Sequence, residues 1–462
     1  MTRFKTEDIL KATGGTLLQT GPKGFSGIST DSRKIEKGEL FVPLVGERFD
    51  GHNFVDAALD RGAAGCIVNR GRVVSAPEGR AVVEVVDSLR ALQNIAHSVR
   101  AGRTGLLVAG VTGTNGKTTT KEMLASILER RGPVLKNQGN LNNEIGVPLT
   151  LLRLDKADWA AVIEMGMSGF GEIERLAEIA APSIGVITNI GPGHLEQLGS
   201  MEGVARAKGE LIAGLPAAGT AVLNSDDPYL HKLIESQAGR VVTFGLDPGA
   251  DFTACNIEET GGSVSFKMKT PEGTATVRLP LMGAHNVYNA LAAAAAARCA
   301  GMTLSETVSG LEEFRPVKMR MEIMEIDGAR VINDAYNANP ASMAAALTTL
   351  AAVKDGRRVA VLGDMLELGT SADKSHYDLG RLAGSAGLAC LIVMGASAEN
   401  TAHGALDAGM DEDAVIIAAG PDAAAAALSN RLRRGDTVLV KGSRSMKMER
   451  VIELLRSRRL VA

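Results

Sequence analysis

Residues 108–121 of this 462-residue chain read VAGVTGTNGKTTTK, and how they are parsed decides the fold. The apolar run over 106–111 predicts a buried strand. It passes through Gly113 and Gly116 into Lys117-Thr118 and a helix-forming segment over 119–131, stopped by Gly132-Pro133. Strand, glycine-bearing turn and Lys-Thr at a helix start form a cradle for nucleotide phosphates. The glycines let backbone N–H groups approach phosphate oxygens, and the helix N-terminus adds partial positive charge. Lys117 would neutralise the outer phosphates, and the Thr118 hydroxyl would sit on magnesium. Val111 stands where the general phosphate-loop pattern has its first glycine, which leaves the shorter GTNGKT form. A plain strand-to-helix turn accounts for the glycines but not for Lys-Thr directly after them.

Bulk properties narrow the setting. The length predicts two or three domains, and 45% hydrophobic residues suffice for sizeable cores. A net charge of −3 implies no general polyanion-binding surface, so no nucleic-acid partner is expected. The opening MTRFKTEDIL lacks the apolar core of a signal peptide, and the alanine-rich run over 291–297 is too short to span a membrane. Cys66, Cys255, Cys299 and Cys390 are far apart and form no CxxC pair. Buried thiols in a reducing cytoplasm fit this pattern better than disulfides or a metal site.

Outward from the loop, 159–163 predicts a second strand ending in Glu164-Met165-Gly166. A carboxylate at that end of a strand is where a nucleotide-binding sheet places a magnesium ligand. A third strand over 184–188 leads into Asn189-Ile190-Gly191-Pro192-Gly193-His194, though a lone histidine does not by itself mark a ligand. Lys208 reads as an ordinary exposed helical lysine, and Asn224, Asp226 and Asp227 read as turn residues. Before these, Asn140, Asn142 and Asn143 supply amides that suit a polar ligand or a plain turn.

Residues 1–102 alternate short strands (39–45, 66–69, 81–86) with helices (6–13, 54–61, 88–101) and carry two polar loops. Thr30-Asp31-Ser32-Arg33 and 46–53 (GERFDGHN) suit a diphosphate or sugar, although capped turns with solvated charges are the default for each. Residues 250–282 predict a small antiparallel addition. His285, Asn286 and Asn289 then open a helix, where an imidazole and two amides suit reading a base or capping the helix, and capping is the default. From about 315 a second α/β pattern begins, with strands at 329–333, 358–362, 390–394, 414–418 and 437–440. Polar loops end three of these strands, which marks a ligand-facing edge.

Taken together, GTNGKTT, EMG, TNIGPGHLE, AKGE, HN and KGSR occur in the order and spacing of the Mur ligase family, and the chain resembles that family over essentially its whole length. These are ATP-dependent amide-bond-forming enzymes of peptidoglycan precursor synthesis. Within the family, GERFDGH, GNLNNEIGVPLTLL, NDAYNANPASM, LGDMLELG and VKGSRSM are most similar to the member that adds D-alanyl-D-alanine to UDP-N-acetylmuramoyl-tripeptide. The DNPR motif of the diaminopimelate-adding member is missing. One departure is Lys318-Met319-Arg320, where the family commonly has glycine before the arginine.

The resemblance implies an α/β chain of three domains. A small α/β domain for the UDP-sugar occupies 1–102. A central parallel-sheet phosphate-loop ATPase with a small antiparallel addition occupies 103–314. A C-terminal Rossmann-like, doubly wound domain at 315–462 closes over ATP and the amino substrate. It implies a carboxylate activated as an acyl phosphate and then attacked by an amine, with ATP and two Mg2+ ions. Catalytic roles fall on Lys117, Glu164, His194 and Lys208. Metal ligation falls on Thr118, Glu164, His194 and Lys208, the last at a position carbamoylated in related ligases. The nucleotide falls to Gly113, Thr114, Asn115, Gly116, Lys117, Thr118, Thr119, Asn286, Asn289, Arg320, Asp334 and Tyr336. The UDP-substrate falls to Thr30, Asp31, Ser32 and Arg33 with Asn140, Asn142 and Asn143, and the dipeptide to Ser443 and Arg444. A monomer is expected. The competing readings are a sister ligase adding diaminopimelate or lysine, a folylpolyglutamate synthase-like ligase, and a nucleotide-binding regulatory protein without chemistry.

Overall fold

The computed structural model describes residues 3–47, 49–236, 239–260 and 262–460, so Arg48 of the GERFDGHN loop lies outside the described residues. The chain forms two compact units. The first comprises residues 1–110, 133–166 and 172–182; the second comprises 111–132, 167–171 and 183–462.

The first unit contains a five-stranded sheet in the order Thr16–Gln19, Ala81–Val85, Gly65–Asn69, Leu40–Phe41, Ile28–Ser29. The first pair is antiparallel and the others are parallel. The strand expected over 39–45 is only Leu40–Phe41, because Pro43 has no N–H to extend a ladder. Phe41, Val55, Leu59, Cys66 and Val68 pack into one core cluster. The helix Ser88–Ala101 starts where Asp87 accepts the Arg90 N–H at 2.7 Å, and it buries Leu92, Ile95 and Ala96. In the same unit Val134–Lys136 pairs in parallel with Ala160–Glu164, which is buried along its whole length.

The strand Leu107–Thr112 carries the chain from the first unit into the second, and the helix that follows is Lys117–Leu128, two residues earlier than expected. In the second unit Ile184–Ile187, Thr220–Asn224 and Arg240–Phe244 run parallel, aligned at Ile184, Thr220 and Arg240. The first two of these strands are buried throughout, as parallel strands covered on both faces require. Behind them the helix His285–Cys299 buries every residue from Ala290 to Ala297. A helix apolar all round belongs inside a protein, and alanine lets its backbone approach Lys117–Leu128 closely. The expected antiparallel addition is present as Thr253–Thr260, Ser263–Thr270 and Gly273–Leu279.

The last six-stranded sheet has the order Glu322–Ile326, Ala329–Asp334, Thr437–Lys441, Arg358–Gly363, Cys390–Met394, Val415–Ala418. All neighbours are parallel except the first pair. Glu322–Ile326 was absent from the expected set, although Asp327-Gly328, both at positive φ, is a strong hairpin turn signal. This order brings the loops after Asp334, Lys441 and Gly363 side by side at one edge. Among the described residues no helix is long and apolar enough to cross a membrane.

Candidate nucleotide and ligase site

The phosphate loop is set by glycine and held from the neighbouring strand end. Gly113 has φ +146° and Gly116 φ +81°, and a Cβ on either would collide with Thr188 Oγ1 or Asn289 Oδ1, respectively. The loop is therefore a cradle whose walls leave room only for backbone. Thr188-Asn189 clamp it: the Thr188 hydroxyl donates to the Asn115 carbonyl at 2.6 Å, and Asn189 Nδ2 donates to the same oxygen at 3.0 Å. Asn189 Oδ1 accepts the Asn115 N–H at 3.0 Å, and the Asn189 carbonyl accepts the Thr114 N–H at 2.9 Å. Thr114 Oγ1 accepts the Gly191 N–H at 2.8 Å, fixing the glycine-rich segment that leads to His194.

Lys117 Nζ donates to the Gly113 carbonyl at 2.7 Å and the Thr114 carbonyl at 3.2 Å, so its ammonium folds over the loop. Thr118 and Thr119 are buried in the first helical turn. Asn289 reaches this helix rather than capping its own, and Asn286 braces it. Asn289 Oδ1 lies 3.4 Å from the Thr120 hydroxyl, its Nδ2 donates to Asn286 Oδ1 at 3.0 Å, and Asn286 Nδ2 donates to the Met282 carbonyl at 2.7 Å. The capping reading is corrected: the helix begins after Ala284, which has no side-chain cap.

Lys208 requires the second correction. It is 3% exposed, not solvated, on the helix Met201–Ala213. Burial and then the Lys117 ammonium push its pKa well below 10.5. His194 takes a left-handed backbone (φ +55°), with Nδ1 3.4 Å from Glu367 Oε2. Asn224 and Asp227, read as turn residues, brace this edge. Asn224 Nδ2 donates to the Thr188 carbonyl at 3.1 Å, and Asp227 Oδ2 accepts the Ile190 N–H at 2.6 Å.

Around the last sheet's loops, the Arg320 guanidinium lies 4.1 Å over the Tyr336 ring. Met319 before it has φ +59°, the region that favours glycine, which accounts for glycine being common there in the family. Asp334 Oδ1 accepts the Met321 N–H at 3.1 Å, and its Oδ2 pairs with the buried Lys441 at 2.6 Å. Ser443 is buried, its hydroxyl accepting the Leu366 N–H at 2.9 Å, while Arg444 pairs with Glu449 at 2.8 Å.

In the first unit, Glu164 is buried and its Oε1 accepts Asn142 Nδ2 at 2.8 Å. Asn137 exchanges hydrogen bonds with the Glu164 backbone at 2.7 and 3.3 Å, which fixes the carboxylate at the strand end. Asn143 Oδ1 accepts the Gly146 N–H at 2.9 Å, and Asn140 is exposed. Thr30, Asp31, Ser32 and Arg33 share one loop. There Arg33 grips both Asp31 oxygens at 2.9 Å and also donates its backbone N–H, holding that carboxyl at about 2. Sequence reasoning missed Thr188, Asn189, Asn339 and Lys441 as supports. Thr188-Asn189, directly after an apolar strand, was the readable signal.

Three families match the chain in succession: the Mur ligase family, catalytic domain, over 24–100; the Mur ligase middle domain over 111–297; and the Mur ligase, glutamate ligase domain, over 319–444. A curated relative from Bacillus subtilis (strain 168), named UDP-N-acetylmuramoyl-tripeptide--D-alanyl-D-alanine ligase, is 38% identical over 98% of both chains. The crystal structure of MurF from Acinetobacter baumannii superposes with a TM-score of 0.92 at 35% identity, covering 98% of this chain and 99% of that one. MurF ligase from Thermotoga maritima, in complex with ADP, gives 0.84 at 31% identity, covering 93% and 97%. On matches of this length and identity, the chain belongs to the Mur ligase family.

Proposed function

We propose that the chain is an ATP-dependent ligase joining D-alanyl-D-alanine to the terminal carboxylate of UDP-N-acetylmuramoyl-tripeptide, giving the UDP-linked pentapeptide, ADP and phosphate. The observation that carries this reading is the near full-length likeness to relatives named for that reaction. A carboxylate resists amine attack until one of its oxygens is phosphorylated. Its oxygen takes the γ-phosphoryl group of ATP as the bond to ADP breaks. The amine nitrogen then attacks the carbonyl carbon and gives up a proton, and phosphate leaves. The protein's part is to bring two anions together and exclude water.

The loop from Gly113 to Thr119 receives the triphosphate, and Lys117 neutralises its outer oxygens. Asn286, Asn289, Arg320, Asp334 and Tyr336 serve the nucleotide. Thr118 and Glu164 offer hard oxygen ligands, and His194 and Lys208 would serve a second magnesium ion. A hydroxyl and a carboxylate are the oxygen donors that suit magnesium, which takes one or two carboxylates and completes its shell with phosphate oxygens and water. Magnesium, when bound, supplies charge neutralisation at the phosphates. The buried, depressed Lys208 amine supports carbamoylation, because only a neutral amine captures carbon dioxide.

Thr30, Asp31, Ser32 and Arg33 with Asn140, Asn142 and Asn143 are assigned to the UDP-substrate, and Ser443 and Arg444 to the dipeptide. Domain limits at 102 and 314, a monomeric state and a cytoplasmic site of action complete the reading. ADP release measured with each substrate omitted in turn tests it. All three substrates should be required, and full turnover without D-alanyl-D-alanine would contradict it.

A further inference from the structure

The phosphate loop is fastened on a second side, to a residue 224 positions away. Asn339 caps the helix Pro340–Ala351: its Oδ1 accepts the Ser342 N–H at 2.9 Å and its own N–H donates to Ser342 Oγ at 3.0 Å. That leaves its Nδ2 group, which donates to Asn115 Oδ1 at 2.8 Å. The Asn115 backbone is already committed to Thr188 and Asn189. Asn115 is thus gripped from both sides, by its backbone from one strand end and by its side chain from the helix cap. The segment bearing Asn339 is itself held by Lys441, whose Nζ donates to Asp334 Oδ2 at 2.6 Å and to the Asn337 carbonyl at 2.9 Å.

We propose that the Asn115–Asn339 amide pair is a positioning link through which a nucleotide in the phosphate loop orders the 334–340 segment and the start of the 340–351 helix. This rests on reading 113–119 as the nucleotide site. Asn339 acts through Asn115, not on a reacting atom. The link is short and specific: an aspartate or alanine at 339 lacks the donor, a serine hydroxyl is too short to reach Asn115, and nothing else about the cap requires an amide. A single neutral hydrogen bond of this kind changes an equilibrium about two- to tenfold.

Hydrogen exchange of the full chain, with and without Mg·ADP, tests the link in wild type, Asn339→Ser, Asn115→Ala and the double variant. Serine keeps the helix cap but is too short to reach Asn115. Asn339→Ala, which loses the cap as well, calibrates exchange of an uncapped helix start. In wild type, ADP should slow exchange both at 113–120 and at 340–345. In each single variant the slowing at 340–345 should fall about two- to tenfold, while 113–120 stays protected in Asn339→Ser, which leaves the loop's own residues in place. The double variant should fall no further than the singles. Undiminished slowing at 340–345 in Asn339→Ser overturns the link. Absence of slowing at 113–120 in wild type overturns the nucleotide reading and the link with it, and the reporting segment tells the two failures apart.

Discussion

Replacing Lys208 by methionine should raise stability at neutral pH and abolish turnover, and both effects have one origin. The side chain is buried, and the charge that acts on it is the like-signed Lys117 ammonium. An amine whose folded pKa lies below its unfolded 10.5 contributes stability that is complete above that value. The contribution is lost as pH falls towards the depressed pKa. Each pH unit in that window costs about 1.4 kcal/mol. At neutral pH, which lies below 10.5, the wild type bears a cost that methionine, of similar volume and without charge, does not. Replacing buried ionic groups by apolar ones of like size gains on the order of 1–4 kcal/mol. Urea unfolding at about pH 7.5 should therefore show a higher midpoint for Lys208→Met, and the two proteins should converge above about pH 11. Bicarbonate added to degassed protein should raise both the stability and the turnover of wild type and leave the variant unmoved. Equal destabilisation of Lys208→Met at both pH values would refute the reasoning, because it would make Lys208 an ordinary packing residue.

Three further outcomes follow from the loop geometries. Gly116→Ala combines a left-handed backbone with a collision at Asn289 Oδ1, so it should destabilise by about 1–2 kcal/mol and weaken ADP binding by calorimetry at least about tenfold. Lys117→Ala should lower kcat about a hundred- to a thousandfold, since it removes the ammonium that folds over the loop onto the Gly113 and Thr114 carbonyls. At Met319, φ +59° charges any side chain about 1–2 kcal/mol, and glycine returns about 0.4–1 kcal/mol through its freer unfolded chain. Met319→Gly should thus exceed Met319→Ala in denaturant stability by about 0.5–1 kcal/mol, the reverse of the order in a helix.

The strongest local patterns were legible because each obeys a local rule. The loop from Gly113 to Thr118, the paired apolar strands and the antiparallel addition all follow from turn chemistry and period. Lys208 was misread because its neighbours in sequence carry charge, and only tertiary packing reveals that Val204, Ala207 and Leu211 share its buried side. Asn286 and Asn289 looked like caps, since position in a helix predicts capping. The partner of Asn289, Thr120 on Lys117–Leu128, comes from far along the chain, and Asn286 braces Asn289. The same distance hid Asn339 and Lys441, which no spacing rule connects to Asn115 or Asp334. Glu322–Ile326 was missed despite a readable Asp-Gly turn, because the adjacent Ile323 and Met324 break the polar/apolar alternation of a half-buried strand.

The central claim concerns which amine is joined to which carboxylate. The direct measurement is the mass of the product formed from Mg·ATP and UDP-N-acetylmuramoyl-tripeptide with D-alanyl-D-alanine, beside a parallel arm offering diaminopimelate with the UDP-dipeptide. UDP-N-acetylmuramoyl-pentapeptide, made only in the first arm, is the predicted result. A product in the second arm alone, or none in either, would contradict the account.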